Sequence, residues 1–137
     1  MEFSRESDMT ALVARFLRNR SYAQQLSEVG FYEHRMDIYG YSRAHQLTVA
    51  VELKLAKWSR AVSQALLYQL CSDLVYIAMP TLAARRVDVA LLQEYGLGLI
   101  AVDKARCREL VLPRFSHVLR RRYRAEYLAL LGEETQR

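Results

Sequence analysis

The chain has 137 residues, of which 20 are Lys or Arg and 15 are Asp or Glu, so its formal net charge at pH 7 is +5. This length predicts one domain. Hydrophobic residues make up 52% of the chain, which excludes an intrinsically disordered chain and a small disulfide-bonded scaffold. Seventeen of the basic residues are Arg, and the three lysines are Lys54, Lys57 and Lys104.

No run of residues approaches the ~20 apolar positions that a membrane-spanning helix needs, and the start of the chain lacks the layout of a signal peptide. Cys71 and Cys107 show neither CxxC nor Cys/His spacing. This usage predicts a reducing compartment and no zinc site. We therefore expect a cytoplasmic protein with no membrane association.

The first predicted element is an amphipathic helix that ends near residues 19–22. Its apolar stripe consists of Met9, Leu12, Val13, Phe16 and Leu17. The stretch that follows has a mixed pattern that predicts no definite element, and Gly30 predicts a turn.

Two strands of a hairpin are predicted next, over residues 32–41 and 47–55, because the second run alternates strictly between apolar and other residues. A helix over 58–71 and a buried strand over 74–79 follow. A helix over 81–95, stopped by Gly96, leads to another buried strand over 97–102. Beyond these, the pattern predicts a short strand around 110–112 and a terminal helix over 118–131. Such alternation is typical of an α/β or mixed α+β fold with helices flanking a mixed sheet.

Glu52 and Lys54 lie two positions apart on a predicted strand, so both side chains leave the same face. Burying a carboxylate and an ammonium in an apolar strand costs several kcal/mol unless they are paired, hydrogen-bonded or bound to a metal. Asp37, on the other predicted hairpin strand, could face Glu52. A divalent cation relieves the repulsion of two carboxylates, and oxygen-only ligands favour Mg²⁺ or Mn²⁺ over zinc. The alternative is that Glu52 and Lys54 form an ion pair without catalytic function and that Asp37 is an ordinary turn or edge residue.

The helix after this strand places Gln64 and Tyr68 four residues apart, on one face. If that face looks back on the strands, Gln64 supplies an amide to the water or the metal shell, and Tyr68 supplies a hydroxyl to a phosphate. The alternatives are an exposed glutamine and a core tyrosine. Lys54 could stabilise developing charge or help deprotonate a metal-bound water, whereas an arginine could not lose a proton.

Together, Asp37, the Glu52-Leu53-Lys54 run and the Gln64 to Tyr68 element resemble the PD-(D/E)XK nuclease superfamily, and the QxxxY spacing is similar to its RecB-like branch. The resemblance covers about residues 5–102. It implies a restriction-endonuclease-like αβββαβ core. It also implies that Asp37, Glu52 and the Leu53 carbonyl hold the catalytic metal, while Lys54 orients or activates the water.

An acidic residue of the first helix often completes the site in that superfamily. Glu6 is the candidate here, and Asp8 competes with it for the role. An acid in a first helical turn is also favourable for the helix dipole whatever its chemistry. The sequence departs from the family pattern at Met36, where a proline is usual.

The positive charge is concentrated in residues 104–124, which hold eight basic residues and one acidic residue. Such a segment is typical of salt-sensitive binding to a nucleic-acid backbone. A solvated helix face or a subunit interface is the alternative. The residues predicted to contact nucleic acid are Tyr68, Lys57, Arg60, Arg114, Arg120, Arg121, Arg122 and Arg124.

The sequence thus predicts a single nuclease domain over residues 1–137, with its core at about 5–102 and a basic, Arg-rich extension at about 103–137. The expected cofactor is Mg²⁺, with Mn²⁺ as a substitute, and DNA is favoured over RNA as the substrate. The expected catalytic residues are Asp37, Glu52, Lys54, Gln64 and Glu6. The alternative is a non-catalytic nucleic-acid-binding or assembly module of the same fold. A homodimer or a larger defence or repair complex is compatible with either.

Overall fold

The computed structural model describes residues 3–133. A 3-10 turn at Glu6–Met9 precedes the first α-helix. In chain order, the helices and strands are α1 (Thr10–Arg18), β1 (Gln24–Phe31), β2 (His34–Ser42), β3 (Leu47–Leu53), α2 (Trp58–Tyr68), β4 (Leu74–Pro80), α3 (Thr81–Ala84), α4 (Val89–Tyr95), β5 (Gly98–Val102), β6 (Cys107–Val111) and α5 (Arg121–Leu130).

The six strands form one sheet in the order β1-β2-β3-β4-β5-β6. The pairs β1-β2, β2-β3 and β5-β6 are antiparallel, whereas β3-β4 and β4-β5 are parallel. Helices flank this mixed sheet, which confirms the predicted mixed α and β architecture. Among residues 3–133, no helix has the length and apolar character needed to cross a membrane.

Each face of the sheet carries its own apolar layer. On one face, Met9, Val13 and Leu17 are fully buried and pack with Val49 and Val51 of β3. We call this the α1 face. The α2 face, on the other side, is covered by α2 and by parts of α4 and α5. Burying a Val or Leu side chain stabilises a fold by about 1.5–3 kcal/mol, so the apolar stripe of α1 fixes that helix against the central strands.

The predicted turn at Gly30 is wrong, because Gly30 lies inside β1 and the turn falls at residues 32–33. Strand β1 was not predicted from its residue pattern. It is an edge strand whose residues are mostly half-buried or exposed, so it lacks the regular apolar alternation that marked β3. Its presence gives the element order α-β-β-β-α-β over the first six major elements.

The single helix predicted over 81–95 is also wrong, since the chain forms two short helices there. Asp88 separates them, and its carboxylate accepts a hydrogen bond of 3.2 Å from the Leu91 N–H. An aspartate at this N-cap position starts a new helix. Gly96 ends α4 with a left-handed φ of 75°, as the sequence predicts.

The basic extension belongs to the same fold. Strand β6 pairs with β5, and α5 packs on the α2 face. The Tyr127 hydroxyl donates a 2.6 Å hydrogen bond to the Gly30 carbonyl, and its ring packs 4.7 Å from that of Tyr39. The terminal helix begins at Arg121, three residues later than predicted, because the Arg120 N–H bonds the Leu70 carbonyl at 2.8 Å.

Candidate active site

The candidate site lies where strands β2 and β3 stop pairing. Their register runs as far as Ile38 opposite Val51, and the next pair in the same register is Asp37 and Glu52. At this point the Leu53 N–H donates to the Asp37 carboxylate at 2.7 Å. The Asp37 side chain therefore takes the place of a backbone acceptor, which fixes one carboxylate at the opening of the sheet.

Glu52 is almost fully buried, with 4% of its surface exposed. One carboxylate oxygen accepts a 3.0 Å hydrogen bond from the Tyr68 hydroxyl. The other lies 3.7 Å from Nζ of Lys54. A buried carboxylate needs such partners to remain in an apolar sheet. Glu52, Tyr68 and Lys54 therefore form a polar cluster on the α2 face.

The two carboxylates are strained electrostatically. Burial, followed by the charge of Asp37, raises the pKa of Glu52 to about 7. Burial also raises the pKa of Asp37, although the hydrogen bond from Leu53 opposes this shift. Each group would therefore gain from a nearby cation, which is the behaviour expected of carboxylates that share a site.

Lys54 and Gln64 meet across the gap between β3 and α2. Nζ of Lys54 donates to Oε1 of Gln64 at 3.2 Å. The Lys54 backbone N–H donates to the Ala78 carbonyl at 3.0 Å, so the residue is anchored to β4 while its side chain reaches toward α2. The predicted face of α2 does look back on the strands, and it brings Gln64 within hydrogen-bond distance of Lys54.

Tyr68 is placed differently from the prediction. Its side chain is fully buried, and its hydroxyl lies 3.0 Å from Glu52 and 3.2 Å from the Arg35 carbonyl. A hydroxyl so enclosed holds the Glu52 carboxylate in place and offers no surface for a phosphate. We therefore correct its assignment from nucleic-acid contact to positioning of Glu52.

Glu6 and Asp8 separate into two roles. The Asp8 carboxylate accepts hydrogen bonds from the backbone N–H groups of Ser4 and Arg5, at 3.2 and 3.0 Å, so it caps the 3-10 turn. Glu6 is exposed in the same turn. Its charge contributes to raising the pKa of both Asp37 and Glu52. Of the two acids, Glu6 therefore stays the candidate for the first-helix acid.

Sequence reasoning missed two neighbours of the site, Glu28 and His34. The register of β1 and β2 places Glu28 across from Asp37, and its charge also raises the Asp37 pKa. Nδ1 of His34 lies 3.4 Å from Nε2 of Gln64. No spacing signal could have found either residue, because Glu28 lies on the unpredicted strand β1 and His34, the first residue of β2, meets Gln64 only once α2 packs on the sheet.

The donor chemistry of the site fits a hard divalent cation. Among residues 3–133, no three His, Cys, Asp or Glu side chains converge closely enough to hold a metal ion by themselves. Mg²⁺, however, commonly binds through one or two carboxylates and keeps several waters. Asp37 and Glu52 with the Leu53 carbonyl would form such a set of oxygen donors, and their raised pKa values are the electrostatic reason for a cation there.

The arginines predicted to bind nucleic acid do not share one role. The Arg114 guanidinium donates to the Gln93 and Glu94 carbonyls at 2.8 Å each, so it caps the end of α4. Arg124 is bonded to Asp73 at 2.9 Å and to the Gln46 carbonyl at 2.9 Å. Both guanidinium groups thus have a structural role through part of their donors, and their contact with nucleic acid stays a prediction.

The other predicted basic residues are exposed. Lys57 and Arg60 lie at the start of α2, close in sequence to Lys54. Arg120, Arg121 and Arg122 lie at the start of α5, and none of the three takes part in an ion pair with another residue of the described chain. Arg108, by contrast, lies on β6 at one edge of the sheet. The basic residues of segment 104–124 are therefore divided between β6 and the start of α5.

Comparison with known proteins shows the fold alone. No family model and no curated protein matches the chain. A solved structure of a protein of unknown function from Silicibacter pomeroyi is similar, with a TM-score of 0.75 and 16% identity. The match covers 96% of this chain and 86% of that one, so the whole described fold has a counterpart in a natural protein.

Proposed function

We propose that this protein is a metal-dependent nuclease of the PD-(D/E)XK type, and that it hydrolyses phosphodiester bonds, preferably in DNA. The observation that carries the proposal is the hydrogen-bonded arrangement of Glu52, Lys54, Gln64 and Tyr68 beside Asp37. These are the residues on which the sequence resemblance rests, and the fold brings them to one opening in the sheet.

The element order lends further support. The chain runs α-β-β-β-α-β from α1 to β4, which is the order of the restriction-endonuclease-like core that the resemblance implies. Within that order, Asp37 lies on the second strand, Glu52 and Lys54 lie on the third, and Gln64 lies on the following helix.

Each side chain has a distinct role in the proposed reaction. Asp37, Glu52 and the Leu53 carbonyl would hold Mg²⁺, which supplies charge neutralisation at the scissile phosphate and lowers the pKa of water. Lys54 orients the attacking water by donating a hydrogen bond. Gln64 keeps the Lys54 ammonium at the site, and Tyr68 fixes the orientation of the Glu52 carboxylate.

A non-catalytic nucleic-acid-binding module is the second candidate. It is favoured by the two-carboxylate composition of the site, because no third His, Cys, Asp or Glu side chain joins the pair among the residues described. This alternative predicts salt-sensitive binding without cleavage. An activity assay separates the two candidates directly.

The test is cleavage of labelled single- and double-stranded DNA and RNA with Mg²⁺, Mn²⁺ or EDTA. We expect metal-dependent cleavage that Lys54→Ala lowers by roughly 10²- to 10³-fold, as for loss of a group that stabilises a transition state. Lys104→Ala, at an exposed lysine outside the site, is the matched control and should cleave normally. Equal rates in wild type and Lys54→Ala, with both proteins folded, would overturn the proposal.

A further inference from the structure

The turn between β1 and β2 exposes a large aromatic ring. Phe31 pairs with His34, so the turn has two residues, and its first residue, Tyr32, has a φ of 55°. Turns of this kind favour glycine or asparagine, because positive φ is unfavourable for a bulky side chain. Tyr32 nevertheless occupies the position with 66% of its surface exposed. Strained residues of this type concentrate at functional sites.

The Tyr32 ring is held in place despite its exposure. Its hydroxyl is hydrogen-bonded to that of Tyr123 on α5. The Phe31 ring packs edge-to-face against it at 4.8 Å, and the Tyr123 ring does so at 5.8 Å. A ring fixed in this way loses little conformational freedom when a planar group stacks on it, which is the property of a base-stacking platform.

Positive charge from the start of α5 lies on one side of this aromatic cluster. The Arg122 guanidinium lies 5.9 Å from the centre of the Tyr123 ring. A recess of about 550 Å³ beside it is lined by Leu119, Arg120, Arg121, Arg122 and Tyr123. The three arginines are exposed and take no carboxylate partner from the rest of residues 3–133. Guanidinium groups in this state are suited to phosphate oxygens.

Strand β2 connects the cluster to the candidate active site. Tyr32 lies in the turn before β2, and Asp37 lies three residues beyond His34, the first residue of β2, or about 10 Å along the strand at about 3.3 Å per residue. Between them, His34 contacts Gln64, and the Arg35 carbonyl lies next to the Tyr68 hydroxyl. A polynucleotide held at the turn would therefore lie beside the exposed start of β2, at His34 and Arg35, close in the chain to Asp37.

Exposed base faces distinguish a single strand from a duplex, in which the bases stack on one another. We propose that Tyr32, Arg120, Arg121 and Arg122 bind a single-stranded segment of nucleic acid and lead it to the site, with a base stacked on Tyr32 and phosphates on the arginines. This deepens the proposed nuclease function and rests on it for the fate of the bound strand. Binding itself does not require cleavage.

The first test measures binding in EDTA, by fluorescence anisotropy, of a labelled oligothymidylate and of a blunt duplex of equal length. We expect the single strand to bind more tightly. Tyr32→Ala should weaken its binding by roughly 5- to 100-fold, the effect of losing one stacked base. Tyr32→Phe, which keeps the ring, should bind like wild type. Tyr95→Ala, at a tyrosine 41% exposed on α4, is the control and should bind normally.

A double variant, Arg121→Ala with Arg122→Ala, leaves the turn intact. Loss of two phosphate contacts should reduce the salt dependence of single-strand binding by a slope of about 1.4. Tighter binding of the duplex, unchanged binding by Tyr32→Ala, or an unchanged slope in the double variant would each overturn the proposal.

The binding experiment tests the proposed single-strand surface, and the cleavage experiment tests the nuclease proposal, so either proposal can be refuted without the other. Single-strand binding that is lost in Tyr32→Ala supports this surface even if the wild-type protein cleaves nothing, in which case the nuclease proposal alone falls. Conversely, Lys54-dependent cleavage with unchanged binding by Tyr32→Ala leaves the nuclease proposal standing and removes this surface.

Discussion

Glu52 is the residue at which folding and the proposed function oppose each other. Its carboxylate is buried beside Asp37, with Tyr68 and Lys54 as partners, and its pKa rises from 4.5 to about 7. The folded protein therefore binds a proton at Glu52 in a pH range where the unfolded chain has lost it. The stability linked to this proton is fully present below about pH 4.5 and is lost as the pH rises through about 7.

Replacing Glu52 with Gln removes this pH dependence, because the amide has the same shape and no charge. The shift from 4.5 to about 7 corresponds to about 3 kcal/mol. We expect the free energy of unfolding of Glu52→Gln, relative to wild type, to rise by about this amount between about pH 4 and about pH 8.

Urea unfolding in EDTA at both pH values measures the difference. Glu94→Gln, at an exposed position on α4, is the control and should show no such change. A stability difference for Glu52→Gln that is the same at both pH values would contradict the prediction.

At the scale of elements, α5 has two kinds of arginine on one short helix. Arg124 bonds Asp73, whose carboxylate also accepts from the Thr48 N–H and hydroxyl at 2.8 Å each. This bond joins α5 to the residue before β4, and Asp73 in turn holds Thr48 of β3. Arg122 lies near the opposite, exposed side, over the Tyr123 ring. Of these two arginines, Arg124 thus helps to hold α5 on the sheet, whereas Arg122 is presented to solvent.

These two arginines should respond differently to replacement. Arg124→Ala should lower the free energy of unfolding by about 1.5–3 kcal/mol, the range for a hydrogen bond to a charged partner. Arg122→Ala should stay within about 0.5 kcal/mol of wild type, as for an ordinary surface change. Chemical denaturation of both variants is the measurement, and equal losses would show that the division of roles is mistaken.

At the scale of the whole molecule, the site occupies an opening between two strands of a continuous sheet. The α1 and α2 faces hold β2 and β3 rigidly on either side of that opening. The carboxylates are consequently brought together before any cation binds. Their repulsion lowers the free energy of unfolding of the whole domain. A bound cation should raise the free energy of unfolding again, because it offsets that repulsion.

Addition of Mg²⁺ to metal-free protein at about pH 8 should therefore raise its melting temperature. At a concentration one hundred times the dissociation constant, the gain in stability is about 2.7 kcal/mol. Asp37→Asn should abolish most of the gain, whereas Asp88→Asn, at the cap of α4, should keep it. Thermal scans with and without EDTA measure the effect, and an undiminished gain in Asp37→Asn would refute the assignment of this residue.

Local sequence patterns were sufficient wherever the periodicity of a single element carries the information. The alternation across residues 47–55 predicted β3 and placed Glu52 and Lys54 on one face. The four-residue spacing of Gln64 and Tyr68 predicted that they share a face of α2. The apolar stripe predicted α1. In each case the direction of successive side chains repeats with the period of one helix or strand, so the residue pattern alone reveals which residues share a face.

Tertiary structure decided the features that depend on sheet order. Edge strand β1 has a weak pattern of its own and exists because it pairs with β2. Its pairing brings Glu28 across from Asp37, and the turn after it brings His34 to Gln64. Similarly, a single basic segment of sequence divides in space, since β6 and α5 pack at different places on the sheet. Charge and spacing in the chain determined which residues are chemically unusual, whereas the long-range pairing of strands decided which of them meet.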